Sequence, residues 1–489
     1  MSATGTSRPP LRPGYLQSIE GQFEGEPDEP VLLFEGNWVS YGDLGATINA
    51  VRDAVVERSS TGAPIGIEAP NAPYSLAGII GVMLSGRCAI PLSPRRFDDD
   101  IERLEDELGA ILFRLAGEES RDLGRHFEDV DTPLGVLTLA IVDKDLDGDP
   151  DVALMLGTSG TTGEPRRVPI LHRTIDMGIQ ALRVSNGRSD RKRDVNVVCF
   201  PMYHLAGLIP SLLTLATGRQ IALLEKFDAH KVADLVEDHA IRSLALTPTT
   251  VRDLVDAGIP RERLGSLRYV RSGTAPLPIH LARRFQDTYG VPLIQAYGQT
   301  EAGGEVIGWD PADMQDHLVD KIGAVGRPRP GIEVLIADPS DELPNGGVPA
   351  GEIGELWLRG VQGDDEWHRS GDLASRDDDG FIWIHGRADD VIICGGFNIH
   401  PAMLEHVLEQ HPNVHEAAVT GVPDDRLGSI PVAAVVAAEG ITDGMLDTWC
   451  RDHLEPYQRP RRYLRVDAVP RTDTGKVQRQ RLQELATTP

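Results

Sequence analysis

The stretch Leu154 to Arg167 reads LMLGTSGTTGEPRR, and these residue types at this spacing suit a loop that grips a polyphosphate. Leu154, Met155 and Leu156 read as the end of a buried strand, after which Gly157, Gly160 and Gly163 let the backbone turn its N–H groups inward. Successive amides form an anion nest, and Thr158, Ser159, Thr161 and Thr162 add hydroxyl donors without placing fixed charge beside a reacting phosphorus. Arg166 supplies positive charge. Neither GxxxxGK(S/T) nor a GxGxxG following a strand occurs, so the common phosphate-loop and dinucleotide readings have no support. Taken alone, the loop leaves open a Ser/Thr/Gly-rich surface turn.

The elements that would position such a loop are legible in the flanking periodicity. Up to Pro150, short β-rich runs (Val31 to Phe34, Ala63 to Ile67, Cys88 to Leu92) alternate with amphipathic helices at Tyr41 to Arg58 and Asp98 to Leu108. This predicts a layered α/β domain with a largely parallel sheet. After the loop the alternation resumes: Val195 to Phe200, a helix over Ala206 to Ala216, Gln220 to Leu224, a helix over Ala229 to Asp238, then Ser243 to Thr247. Two similar α/β halves side by side fit this pattern. Beyond about Val325 come short strands (Glu333 to Ile336, Gly354 to Arg359, Phe381 to His385) punctuated by Gly, Pro and Asp, which predict a small antiparallel or barrel-like unit. The last hundred or so residues read as compact α+β: strands at Val391 to Cys394, His415 to Val422 and Val432 to Ala437, a helix opened by Pro401, and another near Met445 to Leu454.

At 489 residues the chain exceeds what one core holds, and its 40% hydrophobic and 25% charged residues are ordinary for a globular enzyme. A formal net charge of −27 argues against nucleic acid or an anionic membrane as partner, so an anionic ligand would need local cations. Candidates are Arg166, Arg167, His172 and Arg173, and the late cluster Arg459, Arg461, Arg462 and Arg465; for any single arginine a solvated face is the simpler reading. Cys88, Cys199, Cys394 and Cys450 show no metal-ligand or CxxC spacing and predict reduced thiols. The polar N-terminal stretch, the C-terminal LATTP and an apolar run of only Leu76 to Leu84 carry no targeting or spanning signal, so a cytoplasmic enzyme is expected.

Five further stretches decide among these readings: PMYHLAGL (201 to 208), RSGTAPLP (271 to 278), QAYGQTEAGG (295 to 304), WHRSGDL with GRADDVIICGGFNIHP (367 to 373 and 386 to 401), and PRTDTGK (470 to 476). With TSGTTGEPR they fall in the order and spacing of the adenylate-forming superfamily, and over residues 25 to 485 the chain resembles its acyl- and aryl-CoA synthetases. The resemblance implies an α/β fold: a large N-terminal domain (1–386) of two layered α/β subdomains and a small barrel-like one, a hinge at 387–390 around Asp389, and a mobile α+β C-terminal domain (391–489). It also implies a two-step reaction. A carboxylate attacks the α-phosphate of ATP, releasing pyrophosphate; a thiol, usually that of CoA, then displaces AMP.

Residue by residue, the resemblance implies a nucleotide site of Thr158 to Gly163, Arg166, Gly273, Thr274, Ala275, Ala296, Tyr297, Gly298, Gln299, Thr300, Asp372, Ile384 and Arg387. In it Tyr297 offers a ring to stack on adenine, Thr300 a hydroxyl for the α-phosphate, and Glu301 a hard oxygen for Mg²⁺. Asp372 has two acceptor oxygens to match two ribose hydroxyls, and Arg387 contacts ribose near the hinge. Lys476 reaches in during adenylation and neutralises charge gathering between carboxylate and phosphate. Tyr203, His204, Leu208, Thr247, Thr250, Arg271, Gly273 and Gly303 would line the acyl pocket, with His204 a gate or a general base. Gly395, Gly396 and Phe397 would border the CoA channel.

Three departures stand out. Arg166-Arg167 replace the usual Lys-Gly after the loop proline; guanidinium keeps the charge but binds oxygen as a flat fork. The segment 361 to 366 is short, and Met403 replaces a common glutamate. The pocket residues are small, apolar or hydroxyl-bearing, which predicts a medium aliphatic or aromatic acid. Arg271 could meet a second carboxylate or make a structural ion pair. The rival readings are an enzyme loading a carrier-protein phosphopantetheine and a non-catalytic nucleotide-binding homologue; as to assembly, monomer and homodimer both stay open.

Overall fold

Three runs, Ile65–Glu68, Ala89–Leu92 and Ala110–Phe113, lie parallel at the centre of a seven-stranded sheet. Ala89–Leu92 is buried at every residue, as strands covered on both faces must be. Val152–Thr158 joins them through Ala89 opposite Leu154, and an antiparallel pair, His126–Val130 with Leu137–Ile141, forms one edge. The computed structural model describes residues 13–58, 62–104, 107–108, 110–113, 126–141, 148–158, 166–186, 194–344 and 346–487. The chain divides into two units, one of the residues up to Thr158 with Arg167–Phe227, the other running from Asp228 to Pro489.

In the first unit the helix expected over Tyr41 to Arg58 is present at those bounds. It crosses Pro73–Leu84, whose apolar run is buried on all sides as a core helix, and at the crossing a Cβ on Gly81 would stand 2.7 Å from the Ile48 carbonyl oxygen. Only glycine permits that approach. Of the helix expected over Asp98 to Leu108, the described helix is Phe97–Leu104, and Glu107 lies past its end with its N–H donating to the Leu104 carbonyl. The α/β halves also interleave, because Pro30–Phe34 pairs in parallel with Gln220–Leu223, Leu32 opposite Ile221. Among the described residues no helix is long and apolar enough to cross a membrane.

The second unit starts with a parallel sheet of Ser243–Leu246, Tyr269–Ser272 and Leu293–Gln295, covered by helices Pro248–Asp256 and Ile279–Tyr289. Tyr297–Gln299, Gly304–Gly308 and Arg327–Pro328 follow as antiparallel strands, then a four-stranded meander from Glu333–Ala337 to Ile382–Arg387. The last part is a five-stranded sheet with helices Pro401–Glu409, Asp443–His453 and Arg479–Thr487. Arg479 is half-buried there between Asp390 (2.6 Å) and Glu405 (2.7 Å), tying the last residue of the expected hinge to the C-terminal helices.

Glu409 ends the Pro401–Glu409 helix buried, accepting one bond from the Ala417 N–H at 3.3 Å. Burial first, then the neighbouring Glu405 and Glu416 carboxylates, push its carboxyl from an ordinary 4.5 up to about 8. A folded-state value above the unfolded one stabilises fully below the unfolded value and is lost as pH rises through the folded value. Wild-type protein should therefore lose about 1.4 kcal/mol per pH unit from this group across neutral pH, and Glu409→Gln should not. Denaturant melts at pH 6 and pH 8 check this; parallel curves for the two proteins would show that the carboxyl titrates normally.

Candidate active site

The parallel sheet of the second unit ends its strands at Leu246, Ser272 and Gln295, and the segments that leave those ends carry the expected site. Open α/β sheets bind ligands beyond the carboxyl ends of their strands. Thr247 to Thr250, Gly273 to Ala275 and Ala296 to Gln299 are brought together there, the Gly273 N–H donating to the Leu246 carbonyl and the Ala296 N–H to that of Ser272. Thr274 has φ +69°, an outlier for a β-branched residue of the kind that clusters at functional sites. Gly298 is required by packing, since a Cβ there would stand 2.1 Å from the Gly304 carbonyl oxygen.

A buried carboxylate gathers this cluster. Asp372, on His368–Arg376 and 8% exposed, accepts through Oδ2 from the Tyr297 hydroxyl and from Gln299 Nε2, both at 2.6 Å. Arg387, its partner across the strand pair, faces Oδ1 at 3.5 Å and donates to the Ser370 carbonyl at 3.0 Å and to Asp389 at 3.2 Å. Burial raises the Asp372 carboxyl above the aspartate range, opposed by the Tyr297 hydrogen bond, Arg387, Gln299 and the Lys476 charge. One carboxylate oxygen is thus engaged by protein donors, which leaves Oδ1 the more open acceptor. The Tyr297 ring is 9% exposed and packs with Ala302, Val306 and Ile307, with Ile384 against the same cluster.

Lys476 is exposed at the end of a tight turn in which the Thr472 N–H donates to the Lys476 carbonyl (2.8 Å) and Gly475 adopts φ +82°. That turn is seated on the sheet ends: the Thr274 hydroxyl donates to the Thr474 carbonyl oxygen at 2.8 Å. Thr300 is half-buried and Glu301 exposed. Among the described residues no three His, Cys, Asp or Glu side chains form a metal cage. An exposed carboxylate such as Glu301 is a donor of the kind that fits Mg²⁺, which keeps several waters and takes few ligands from protein.

Other expected residues are held differently. Thr247 and Thr250 form the capping box of helix Pro248–Asp256, the Thr250 N–H donating to Thr247 Oγ1 (3.1 Å) and the Thr247 N–H to Thr250 Oγ1 (2.9 Å). Arg271 donates to Glu305 at 3.0 Å, a structural ion pair that Arg329 shares. In the first unit Arg167 makes a two-pronged pair with Glu107 at 2.5 and 3.1 Å, and His172 meets the buried Tyr15 hydroxyl at 2.8 Å. Arg167 is therefore a structural cation, and His172, whose pKa burial lowers, is a structural hydrogen-bond partner. His204 precedes helix Leu205–Ala216 with its ring 4.6 Å from that of Tyr203, and Leu208 is fully buried in the unit's core. Gly395 and Gly396 have φ +60° and +88°, the backbone of a two-residue hairpin turn between Ile392–Cys394 and Phe397–Ile399; the exposed Phe397 stacks on Tyr457 at 4.4 Å. Ser159, Gly160, Thr161, Thr162 and Gly163 lie outside the described residues, as do the side chains of Thr158 and Arg166. Reading the sequence missed Ser370, whose hydroxyl accepts from the Asp372 N–H at 3.0 Å; its place two residues before Asp372 was the available signal.

Sheet-end loops around a buried carboxylate, with a lysine turn docked on them, make up the candidate site of this α/β unit. The AMP-binding enzyme model matches residues 19–363 and the AMP-binding enzyme C-terminal domain model residues 403–476, so the chain belongs to the AMP-binding enzyme family. A feruloyl-CoA synthase from Amycolatopsis sp. is 32% identical over 483 residues, covering 92% of this chain and 94% of that protein. The fatty acid–acyl-carrier-protein ligase ScoC of Streptomyces coeruleorubidus is 28% identical and covers 96% of each chain. ATP-bound MatB from Rhodopseudomonas palustris has a similar structure, with a TM-score of 0.79 at 25% identity over 96% of this chain and 98% of that one.

Proposed function

We propose that the chain is an AMP-forming carboxylic acid:CoA ligase. In the first step a carboxylate oxygen attacks the α-phosphorus of ATP, the bond to the β-phosphate oxygen breaks, and pyrophosphate leaves. In the second, the sulfur of CoA attacks the acyl carbon, the thiol proton passes to solvent, and AMP leaves. The observation that carries the reading is the Lys476 turn seated on Thr274, beside the loops that converge on the buried Asp372. In this reading Asp372 and Arg387 orient the ribose, and Tyr297 borders the adenine. Thr158 to Gly163, Arg166 and Thr300 hold phosphate oxygens. Glu301 would hold Mg²⁺, which screens phosphate charge when bound. The boundaries 1–386 and 391–489, flanking a hinge at Asp389, belong to the same proposal, as do a soluble cytoplasmic setting and a pantetheine path past Gly395, Gly396 and Phe397, with His204 at the acyl entrance.

Because Arg271 already pairs with Glu305, a second carboxylate on the substrate would have to compete with that partner, which favours a monocarboxylic acid. The feruloyl-CoA synthase likeness points to aromatic acids first. Aromatic, aliphatic and dicarboxylic acids should be offered with ATP and Mg²⁺, and AMP and pyrophosphate measured with and without CoA. Turnover of an aromatic monocarboxylate to its CoA thioester is expected. Thioester formation on a carrier protein alone would favour the reading that ScoC suggests, and release of ADP and phosphate would remove both.

A further inference from the structure

Helix Pro248–Asp256 carries a residue that no part of the reading above uses. Arg252, side chain 21% exposed, places Nη1 at 3.6 Å from Glu416 Oε1, whose side chain is 11% exposed. Glu416 lies on strand Val414–Asp424 and takes two donors from Arg471, Nε at 2.7 Å and Nη2 at 2.5 Å. The remaining Arg471 nitrogen, Nη1, donates to the Gly475 carbonyl oxygen at 2.6 Å, inside the turn that presents Lys476. A continuous line of charge-assisted contacts thus runs from the helix, through Glu416 and Arg471, into the lysine turn. The turn is gripped on its other side by Thr274, through the Thr474 carbonyl.

The parts of this line do different work. Glu416, on the C-terminal sheet, and Arg471, at the base of the turn, brace it directly, so removing either would change its shape. Arg252 alone reaches Glu416 from the helix at the sheet ends, and without it Arg471 still holds Gly475. Losing Arg252 should therefore leave the turn folded while weakening its attachment. We infer that Arg252, acting through Glu416 and Arg471, is a positioning residue that keeps Lys476 at the site for adenylation.

The inference rests on the two-step reading, and its test separates the two half-reactions. Arg252→Ala should lower acid-dependent ATP/pyrophosphate exchange by about tenfold, the scale of an ordinary coupling between two conformational states. Conversion of supplied acyl-adenylate and CoA to thioester should stay within about twofold of wild type, and Arg252→Lys should recover part of the exchange. A readout independent of substrate is limited trypsin cleavage after the exposed Lys476, which should be faster in Arg252→Ala than in wild type. Equal loss of both half-reactions, or unchanged exchange with unchanged cleavage, overturns the inference. Should the wild-type protein show no exchange with any acid, the proposed function fails instead, and the cleavage rate alone decides whether Arg252 holds the turn.

Discussion

Replacing Lys476 with alanine should lower acid-dependent ATP/pyrophosphate exchange by about 10²- to 10³-fold, the ~3–4 kcal/mol that one preorganised donor supplies to a developing charge. Attack of a carboxylate on a phosphate brings two anions together, so a cation between them acts where the transition state gathers charge. The neighbouring cations are committed: Arg387 faces Asp372 and Asp389, Arg271 is paired with Glu305, and Arg471 with Glu416. None of them can stand in without abandoning its own carboxylate. Lys476 is exposed, so its removal should leave the thermal midpoint unchanged. Thioester formation from supplied acyl-adenylate needs no such cation and should continue near the wild-type rate. Equal loss of both half-reactions would mean that the turn serves the whole fold and not the first chemical step.

What could be read from the sequence divides along the range of the interaction. Helix Ala229–Asp238 lies at the expected bounds because its signals are local: an apolar stripe at helical spacing, opened by Asp228, whose carboxylate caps the Lys231 N–H. Thr247 and Thr250 show the reverse case. Thr-Pro-x-Thr before an apolar stripe is itself a helix start, yet the hydroxyls read as pocket lining because the neighbouring motifs drew attention to a ligand. The bonds that make the site were beyond such reading. Tyr297 and Asp372 are 75 residues apart, and Thr274 and Thr474 are 200 apart; no periodicity reports which distant polar groups will meet. The motifs named the participants, while geometry assigned their partners. Arg271 shows the difference: as a residue type it left open a second carboxylate or a structural ion pair, and the structure pairs it with Glu305.

Asp372 gives the other large effect. Asp372→Asn should raise the KM for ATP by about 10²-fold, corresponding to ~2–4 kcal/mol, because it replaces a charged double acceptor with a group that donates from one end. Whichever way the amide turns, its NH2 meets a donor: the Arg387 guanidinium on one side, or Gln299 Nε2 on the other, where the Tyr297 hydroxyl would also have to turn from donor to acceptor. The ribose then loses its open acceptor or finds it displaced. Burial also raises this carboxyl above the usual aspartate range, so wild-type affinity for ATP should decline on acidification at a pH higher than an ordinary aspartate would give. The decline follows from protonation, which turns an acceptor into a donor facing the ribose hydroxyls. KM for ATP measured across mildly acidic pH should show this limb in wild type and not in Asp372→Asn. If the substitution instead left KM for ATP and its pH dependence as in wild type, Asp372 would be a core hydrogen-bond hub for Tyr297 and Gln299, with the ribose bound elsewhere.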